Sequence, residues 1–394
     1  MKILFCIDSL LPGGAENSLI LSLPLMREAG VEPLLVCLKR VEIHIEAMAL
    51  ERGVVPHYLS GSRWCPRKRW YLNLPRWVRE LRGLVREHRP CLVHSTLYQS
   101  CLTSRLALIG TGIPLLNSIV NMDYSPVRLK DPARRGGPWL STFKLEFFRL
   151  LNRLTAPLAS HFHAVTPAIR DDAIQKLGLS PDRISVVYRG REETAGVSST
   201  LEQRLSLKQQ LGVDASARLL MNTGRQDYQK GQSVLLQALP QLGPDSGAVL
   251  LIAGRDGSMT PHLKSLIADY GLERQVLMLG HRPDVPQLLA GSDLFLLPSL
   301  YEGAAGALLE AMAAGMPIVA SDLPELRGLV RAGENGLLAP PAAPGAWAEA
   351  IRYLLGNPEV AARIGQEARR DFLERFTLEK SVQGMVDLYR TLAR

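Results

Sequence analysis

Short apolar runs of strand length recur along the chain at a regular interval. The first is residues 2–7 (KILFCI), followed by Pro12-Gly13-Gly14 and a helix-periodic stretch from about Glu16 to Gly30. Further runs at 33–38, 91–93, 113–120 and 162–165 alternate with amphipathic, helix-like segments. Near-continuous apolar strands separated by helices predict a parallel sheet covered on both faces, so the first half reads as a Rossmann-like domain. The pattern starts again at 218–222 and continues through 248–253, 276–279, 294–297 and 317–320, which predicts a second domain of the same class. The polar stretch 191–217, with its GVSST, reads as the linker. Two sheets of this kind make the cleft between them the default ligand site.

Length and composition agree with that division. A chain of 394 residues with 46% apolar content is long enough for two cores. Nothing approaches the roughly 18 uninterrupted apolar residues of a membrane span, and Asp8 interrupts the opening apolar stretch, so a cytoplasmic protein is expected. Five cysteines without CxxC spacing indicate neither a disulfide framework nor a zinc site.

Charge changes the picture more. Residues 1–190 hold 26 Lys and Arg against 15 Asp and Glu, a balance of +11, and the remainder holds 20 against 23, a balance of −3. Within the basic half, residues 63–89 carry nine Lys or Arg and two Glu, interleaved with Trp64, Trp70, Tyr71 and Trp77. Residues 128–153 add Trp139, Phe143, Phe147 and Phe148 beside Arg134 and Arg135. Two readings stand for these stretches: elements lying on an anionic membrane surface, with the tryptophans as interfacial anchors, or helices that pack an apolar stripe on the sheet and solvate their arginines.

The stretch with the most chemistry is 298–317, PSLYEGAAGALLEAMAAGMP. The strand 294–297 ends there, Gly303 and Gly306 let backbone approach a ligand, and the helix 307–314 opens with free N–H groups that favour an anion. Glu302 precedes the helix and Glu310 lies two turns in, on the order of 12 Å away at 1.5 Å per residue. That is too far for the carboxylate pair of a retaining hydrolase, which stands roughly 5 Å apart. The span suits a ligand held at both ends with a diphosphate between, which is the shape of a nucleotide sugar. Gly13-Gly14 is not a G-x-G-x-x-G fingerprint, so a nicotinamide site is poorly supported.

Glu302 to Pro317 resembles the E-x7-E signature of the family-four retaining glycosyltransferases, which have the GT-B fold: two Rossmann-like domains with parallel sheets facing each other across a cleft. Gly224 to Gly231 (GRQDYQKG) resembles that family's G-R-x-x-x-x-K-G segment, and Pro12 to Glu16 (PGGAE) its amino-terminal glycine loop. The resemblance covers nearly the whole chain and implies an acceptor-binding domain over 1–190, a nucleotide-sugar donor domain over 191–376, and a helix at 377–394 returning to the first domain. It implies that Arg225 and Lys230 stabilise the leaving diphosphate and that Glu302 contacts the donor sugar, these three being the catalytic set. Gly14, Gly224, Gly303, Ala304, Ala305 and Gly306 would line the donor site, with Glu310 on the ribose. No D-x-D occurs in the chain, in keeping with transfer that needs no metal and no cofactor.

Retention of configuration is likewise implied by the family, with the leaving phosphate deprotonating the acceptor. Where many relatives carry a histidine, this chain has Asn121, which cannot act as a base. His94 is the other candidate on the acceptor side, set against the reading of a strand-end histidine satisfied by backbone. The expected function is transfer of a sugar from a nucleotide donor to a glycan or lipid-linked glycan in bacterial surface polysaccharide or glycolipid synthesis. Peripheral association with the inner face of the membrane is expected with it. The alternative is a non-catalytic subunit that binds a nucleotide sugar or glycan in support of a partner transferase.

Overall fold

The computed structural model describes every residue except 12, 41–43, 60–69, 122–123, 132–136, 194–199, 244–245 and 394. The chain divides into two compact units, one made of 1–124, 142–190 and 378–394, the other of 125–141 and 191–377.

The first unit is built on β1 (Lys2–Ile7), α1 (Gly14–Glu28), β2 (Glu32–Cys37), α2 (His44–Glu51), β3 (His57–Tyr58), α3 (Leu74–His88), β4 (Leu92–Thr96), α4 (Tyr98–Ala107), β5 (Leu115–Ile119), α5 (Gly137–Thr155), β6 (His161–Ala164), α6 (Pro167–Leu177) and β7 (Ile184–Val186). Its sheet runs β3-β2-β1-β4-β5-β6-β7, every pair parallel. The second unit holds α7 (Leu201–Gln210), β8 (Arg218–Thr223), α8 (Gln232–Ala238), β9 (Ala248–Ala253), α9 (Thr260–Asp269), β10 (Val276–Gly280), α10 (Val285–Gly291), β11 (Leu294–Leu297), α11 (Gly306–Ala313), β12 (Ile318–Ser321), β13 (Leu337–Ala339), α12 (Pro344–Gly356) and α13 (Pro358–Arg375). Its sheet is β10-β9-β8-β11-β12-β13, again all parallel. Both sheets reverse their winding next to their first strand, between β1 and β4 in one and between β8 and β11 in the other. In an open parallel sheet that reversal leaves a crevice outside the carboxyl ends of the two strands.

The predicted strands lie within three residues of the observed ones, because most contain an apolar run that is buried; β4, β5 and β6 also carry the polar residues His94, Asn117, Ser118 and His163 inside the sheet. Three strands carried no such signal: β3 and β13 are edge strands of two and three residues, and β7 is a three-residue edge strand whose Ser185 and Val186 are half-buried. The stretch 191–217 is more than a linker. Thr200 and Gln203 form a capping box at the start of α7, and Leu207 of that helix is buried against Gly291, where a β-carbon would come within 2.2 Å of Leu207 Cδ2.

The last helix, α14 (Leu378–Leu392), packs in the first unit. Leu378, Val382, Met385, Val386 and Tyr389 form one helical stripe and join the core under β1 and β2. A buried chain of polar groups continues from it. Tyr389 OH lies 2.8 Å from His94 Nδ1, His94 Nε2 is 2.7 Å from Ser118 Oγ, Ser118 Oγ is 2.7 Å from His163 Nδ1, and His163 Nε2 is 2.8 Å from the carbonyl oxygen of Val187. The Val187 carbonyl can only accept, and burial keeps both imidazoles neutral, so together they fix every proton back along the chain. His163 Nε2–H donates to Val187, Ser118 donates to His163, His94 Nε2–H donates to Ser118, and Tyr389 donates to His94. Both imidazoles are fully used. His94 is satisfied by two side-chain hydroxyls rather than by backbone, which corrects that reading; the residues opposite on β5 and α14 are hydroxyl-bearing, which strand periodicity alone does not reveal.

Burial holds the His94 imidazole far below its usual range and lowers that of His163 to about 4, with Arg189 nearby adding to both shifts. The unfolded chain would protonate these groups near pH 6.5, the folded chain well below it. Their contribution to stability is therefore present above pH 6.5 and is lost as pH falls from 6.5 toward 4. We expect the denaturant midpoint to drop between pH 7.5 and pH 5, by a few kcal/mol in unfolding free energy. His163→Gln should flatten that slope, and an unchanged pH profile in this variant would show that the chain does not stay neutral.

Candidate functional site

The residues singled out in the second sheet stand at its reversal. The loop after β8 carries Gly224, Arg225 and Lys230, and the loop after the neighbouring β11 carries Glu302 to Gly306. The two loops are joined along their length. Leu300 N donates to Gln229 O at 2.8 Å, Gln229 Nε2 donates to Tyr301 O at 3.1 Å, and Asn222 Nδ2 reaches across to Leu296 O at 2.8 Å. Gly231 sits at φ +61° directly over the Pro298 carbonyl, which a β-carbon would approach to 2.1 Å. Both the left-handed backbone and the lack of space require glycine there.

This junction brings Lys230 and Glu302 together. Lys230 Nζ is 2.6 Å from Glu302 Oε1, Ser299 Oγ donates to the same oxygen at 2.6 Å, and the backbone N–H of Gly303 faces Oε2 at 3.4 Å. The Glu302 side chain is 4% exposed, so its charge survives burial only through these partners. A second buried carboxylate, Glu325, accepts the Glu302 backbone N–H at 2.8 Å and so fixes the turn. Arg225 is more than half exposed and is held by Asp227. Its guanidinium thus stands at the mouth of the loop, while the Lys230 ammonium is drawn inward.

Beyond Glu302 the chain turns through Ala305, which adopts φ +43°, ψ +51° and caps α11. Left-handed backbone at a non-glycine residue is strained, and it persists here where Ala305 O accepts the first helical bonds from Leu308 N at 2.9 Å and Leu309 N at 3.2 Å. Gly303, Ala304 and Ala305 reach the helix start without bulky side chains; with Leu308 N and Leu309 N bonded to Ala305 O, the N–H groups without a helical partner there are those of Gly306 and Ala307. Glu310, one turn into α11, pairs with Arg191, Nε to Oε1 at 3.0 Å.

In the first unit Gly14 opens α1, immediately past the carboxyl end of β1, and has open space at its missing side chain. Arg189 donates to the carbonyls of Gly14 at 3.1 Å and Ala15 at 3.2 Å, which pins that turn. His94, with Ser118, His163, Arg189 and Tyr389, lines a small cavity of about 50 Å³, and neither of its ring nitrogens is left over for an acceptor. Asn121 is half-buried just past β5, and its Oδ1 has no hydrogen-bond partner among the described residues.

Sequence reasoning missed Arg191, Ser299 and Glu325. Ser299 lies inside the motif itself. Arg191 is separated from Glu310 by 119 positions and fell in a stretch read as linker, and Glu325 is 23 positions from the residue it fixes. The only trace of Arg191 was Gly306 at the helix start, which the sequence reading explained by approach of a ligand rather than of a side chain.

The sequence profile described as Glycosyl transferases group 1 matches residues 203–371, and that described as Glycosyl transferase 4-like domain matches 14–190. Among curated relatives, the chain is 26% identical over 229 residues to an uncharacterized glycosyltransferase of Methanocaldococcus jannaschii, covering 57% of this chain and 58% of that protein. It is 26% identical over 314 residues to the alpha-maltose-1-phosphate synthase of Mycolicibacterium smegmatis, covering 77% and 79%. The chain thus spans less than two thirds of the first relative. Among solved structures, Anabaena HepE in complex with UDP and glucose superposes over the full length of both chains with a TM-score of 0.83 at 24% identity. Two parallel Rossmann-like sheets, the strand-end loops that carry Lys230 and Glu302, and both matching profiles lead to one assignment: this chain belongs to the glycosyl transferases group 1, a family-four-like glycosyltransferase with the GT-B fold.

Proposed function

We propose that the protein transfers a sugar from a nucleotide-sugar donor to a glycan or lipid-linked glycan, with retention of configuration and without a metal ion. The observation that carries this reading is the Lys230–Glu302 pair at the sheet reversal, beside a helix start that a diphosphate can approach. HepE was crystallised with UDP and with UDP-glucose, which makes UDP the first nucleotide to test.

In this reading the diphosphate lies against the first turn of α11, where helix N–H groups and the partial positive charge of the helix favour an anion. Glu310 receives the ribose. Glu302, already charged and oriented by Ser299 and the Gly303 N–H, accepts hydroxyls of the sugar. As the bond to the leaving phosphate breaks, negative charge grows on the diphosphate, and Lys230 and Arg225 answer it with fixed positive charge. The leaving phosphate oxygen then takes the acceptor's proton, so no protein base is required and Asn121 does not stand in the way. The reading of a non-catalytic subunit predicts binding without turnover.

Lys230→Ala should lower kcat on the order of 100-fold at saturating donor, with a smaller change in donor affinity, since its charge matters most in the transition state. Wild-type turnover in a folded Lys230→Ala protein would remove Lys230 from the mechanism. Transfer should also persist after chelation with EDTA; activity lost on chelation and restored by Mg²⁺ or Mn²⁺ would overturn the metal-free scheme.

The acceptor class is supported by a surface on the first unit. Phe143, Phe147, Leu150 and Leu154 are 53–68% exposed and follow i, i+4, i+7, i+11 along α5, a single apolar stripe. Tyr71 and Leu72 continue it: Trp70 packs between Tyr98 and Phe148, with ring centroids 6.0 and 6.5 Å away, which places this short turn beside α5. No described helix is long and apolar enough to span a membrane, and such a stripe within residues 1–190, with their +11 balance, fits the surface of an anionic bilayer. Of the tryptophan anchors expected from sequence, Trp70 and Trp77 do not take part. Trp77 is fully buried with Leu81 and Val85 on the inner stripe of α3, and Trp70 is buried in the aromatic cluster, while Trp64 lies outside the described residues. Co-sedimentation with anionic vesicles should therefore weaken in Phe147→Glu/Leu150→Glu/Leu154→Glu and with rising salt, because screening falls to roughly 8 Å at physiological ionic strength. Equal binding by this triple variant would rule out α5 as the contact.

A further inference from the structure

Arg191 is placed where electrostatics alone would not put it. Its side chain is 9% exposed and lies across the first turn of α11, the positive end of that helix. Its backbone is fixed, with the N–H donating to Phe376 O at 3.1 Å and a parallel bridge to Thr377. From there the guanidinium fills the space that a side chain at position 306 would take. A β-carbon on Gly306 would fall 1.8 Å from Nη2 and 2.8 Å from Cζ. Nε then reaches Glu310, four residues further along the same helix face.

Glu310 is the more exposed partner, at 40%. A carboxylate on a half-exposed helix face would sample several rotamers, and a hydrogen bond from a rigid, buried guanidinium removes most of that freedom. It ties down Oε1 and leaves Oε2 for a ligand. Gly306 is then glycine for the sake of the arginine, its backbone conformation needing none.

We infer that Arg191 is a positioning residue of the donor site, which holds Glu310 in the one orientation that receives the hydroxyls of the nucleotide's ribose, and that Gly306 exists to admit it. This rests on the reading that Glu310 binds the ribose. A purely structural ion pair would stabilise the domain without affecting which nucleotides bind, so the two roles part at the ribose.

The test compares affinities for UDP and 2′,3′-dideoxy-UDP by calorimetry in the full-length protein. GDP and ADP with their dideoxy forms are substituted if UDP does not bind. The wild type should prefer the ribonucleotide on the order of ten-fold or more, the value of a hydrogen bond to a charged group. Glu310→Ala should abolish the preference, and Arg191→Met, which keeps an apolar stem over α11, should abolish most of it. Gly306→Ala should resemble Arg191→Met, and adding Gly306→Ala to the Arg191→Met protein should change the preference no further, since the clash has gone. An Arg191→Met protein that keeps the full preference while Glu310→Ala loses it overturns the inference and leaves the ribose assignment standing. If Glu310→Ala also keeps the preference, or if no nucleoside diphosphate binds, the ribose assignment fails and the inference with it. Should Arg191→Met prove unfolded by circular dichroism, Arg191→Gln decides, by losing or keeping the preference.

Discussion

The sheet reversal of the second unit depends on one buried ion pair. Glu302 is nearly inaccessible, and an unpaired carboxylate in that position would be strongly destabilising. Lys230 prevents this, and doing so ties the loop after β8 to the loop after β11. The other contacts between those loops, from Leu300 to Gln229 and from Gly231 to Pro298, hold the backbones at the separation the pair requires. A buried salt bridge is weak evidence for stability in itself, since apolar residues of similar volume often serve as well. Its retention at a sheet reversal, beside a helix start, is better understood as preorganised charge in a region of low dielectric.

Buried polarity is handled in two ways. Some charges are kept and paired, Lys230 with Glu302 and Arg191 with Glu310 in the second unit. Under the first sheet a series of neutral groups serves instead, in which one carbonyl, Val187 O, sets the tautomers of two histidines and the donor direction of a serine and a tyrosine. The series joins α14, three adjacent strands and the segment leading to Arg189, which in turn grips the start of α1 at Gly14. The last helix and the glycine turn are thereby coupled through hydrogen bonds that tolerate no extra proton.

Much of this was legible in the sequence, and the reasons are physical. Strands at the centre of a covered sheet are rich in apolar residues, so their positions along the chain could be read directly, though β4 ran three residues past its apolar stretch because His94, Ser95 and Thr96 are buried too. Glycines forced by close approach, as at Gly231, also announce a loop with work to do. Other features left no local trace. Ala305 has left-handed backbone without the glycine that usually marks it, because the helix bonds it accepts hold it there. The amphipathic pattern of α3 said that one face is buried but not against what, and in the structure Trp77, Leu81 and Val85 of that face are buried with α4 as the neighbouring helix. On α5 the same type of pattern leaves Phe143, Phe147, Leu150 and Leu154 in solvent.

Arg191 shows where such reading ends. A cation at a helix start, its partner 119 residues away, follows from no periodicity or motif. Yet the helix carries a record of it in Gly306, the one small residue of α11 that no bend or turn explains. The neighbouring small residues Ala311, Ala313 and Ala314 admit the packing of an apolar helix, and any of them accommodates a β-carbon. At position 306 a β-carbon would instead displace the guanidinium of Arg191. A helical glycine without a backbone reason is therefore evidence of a long side chain arriving from elsewhere, and at the mouth of an anion site that side chain will most often carry charge.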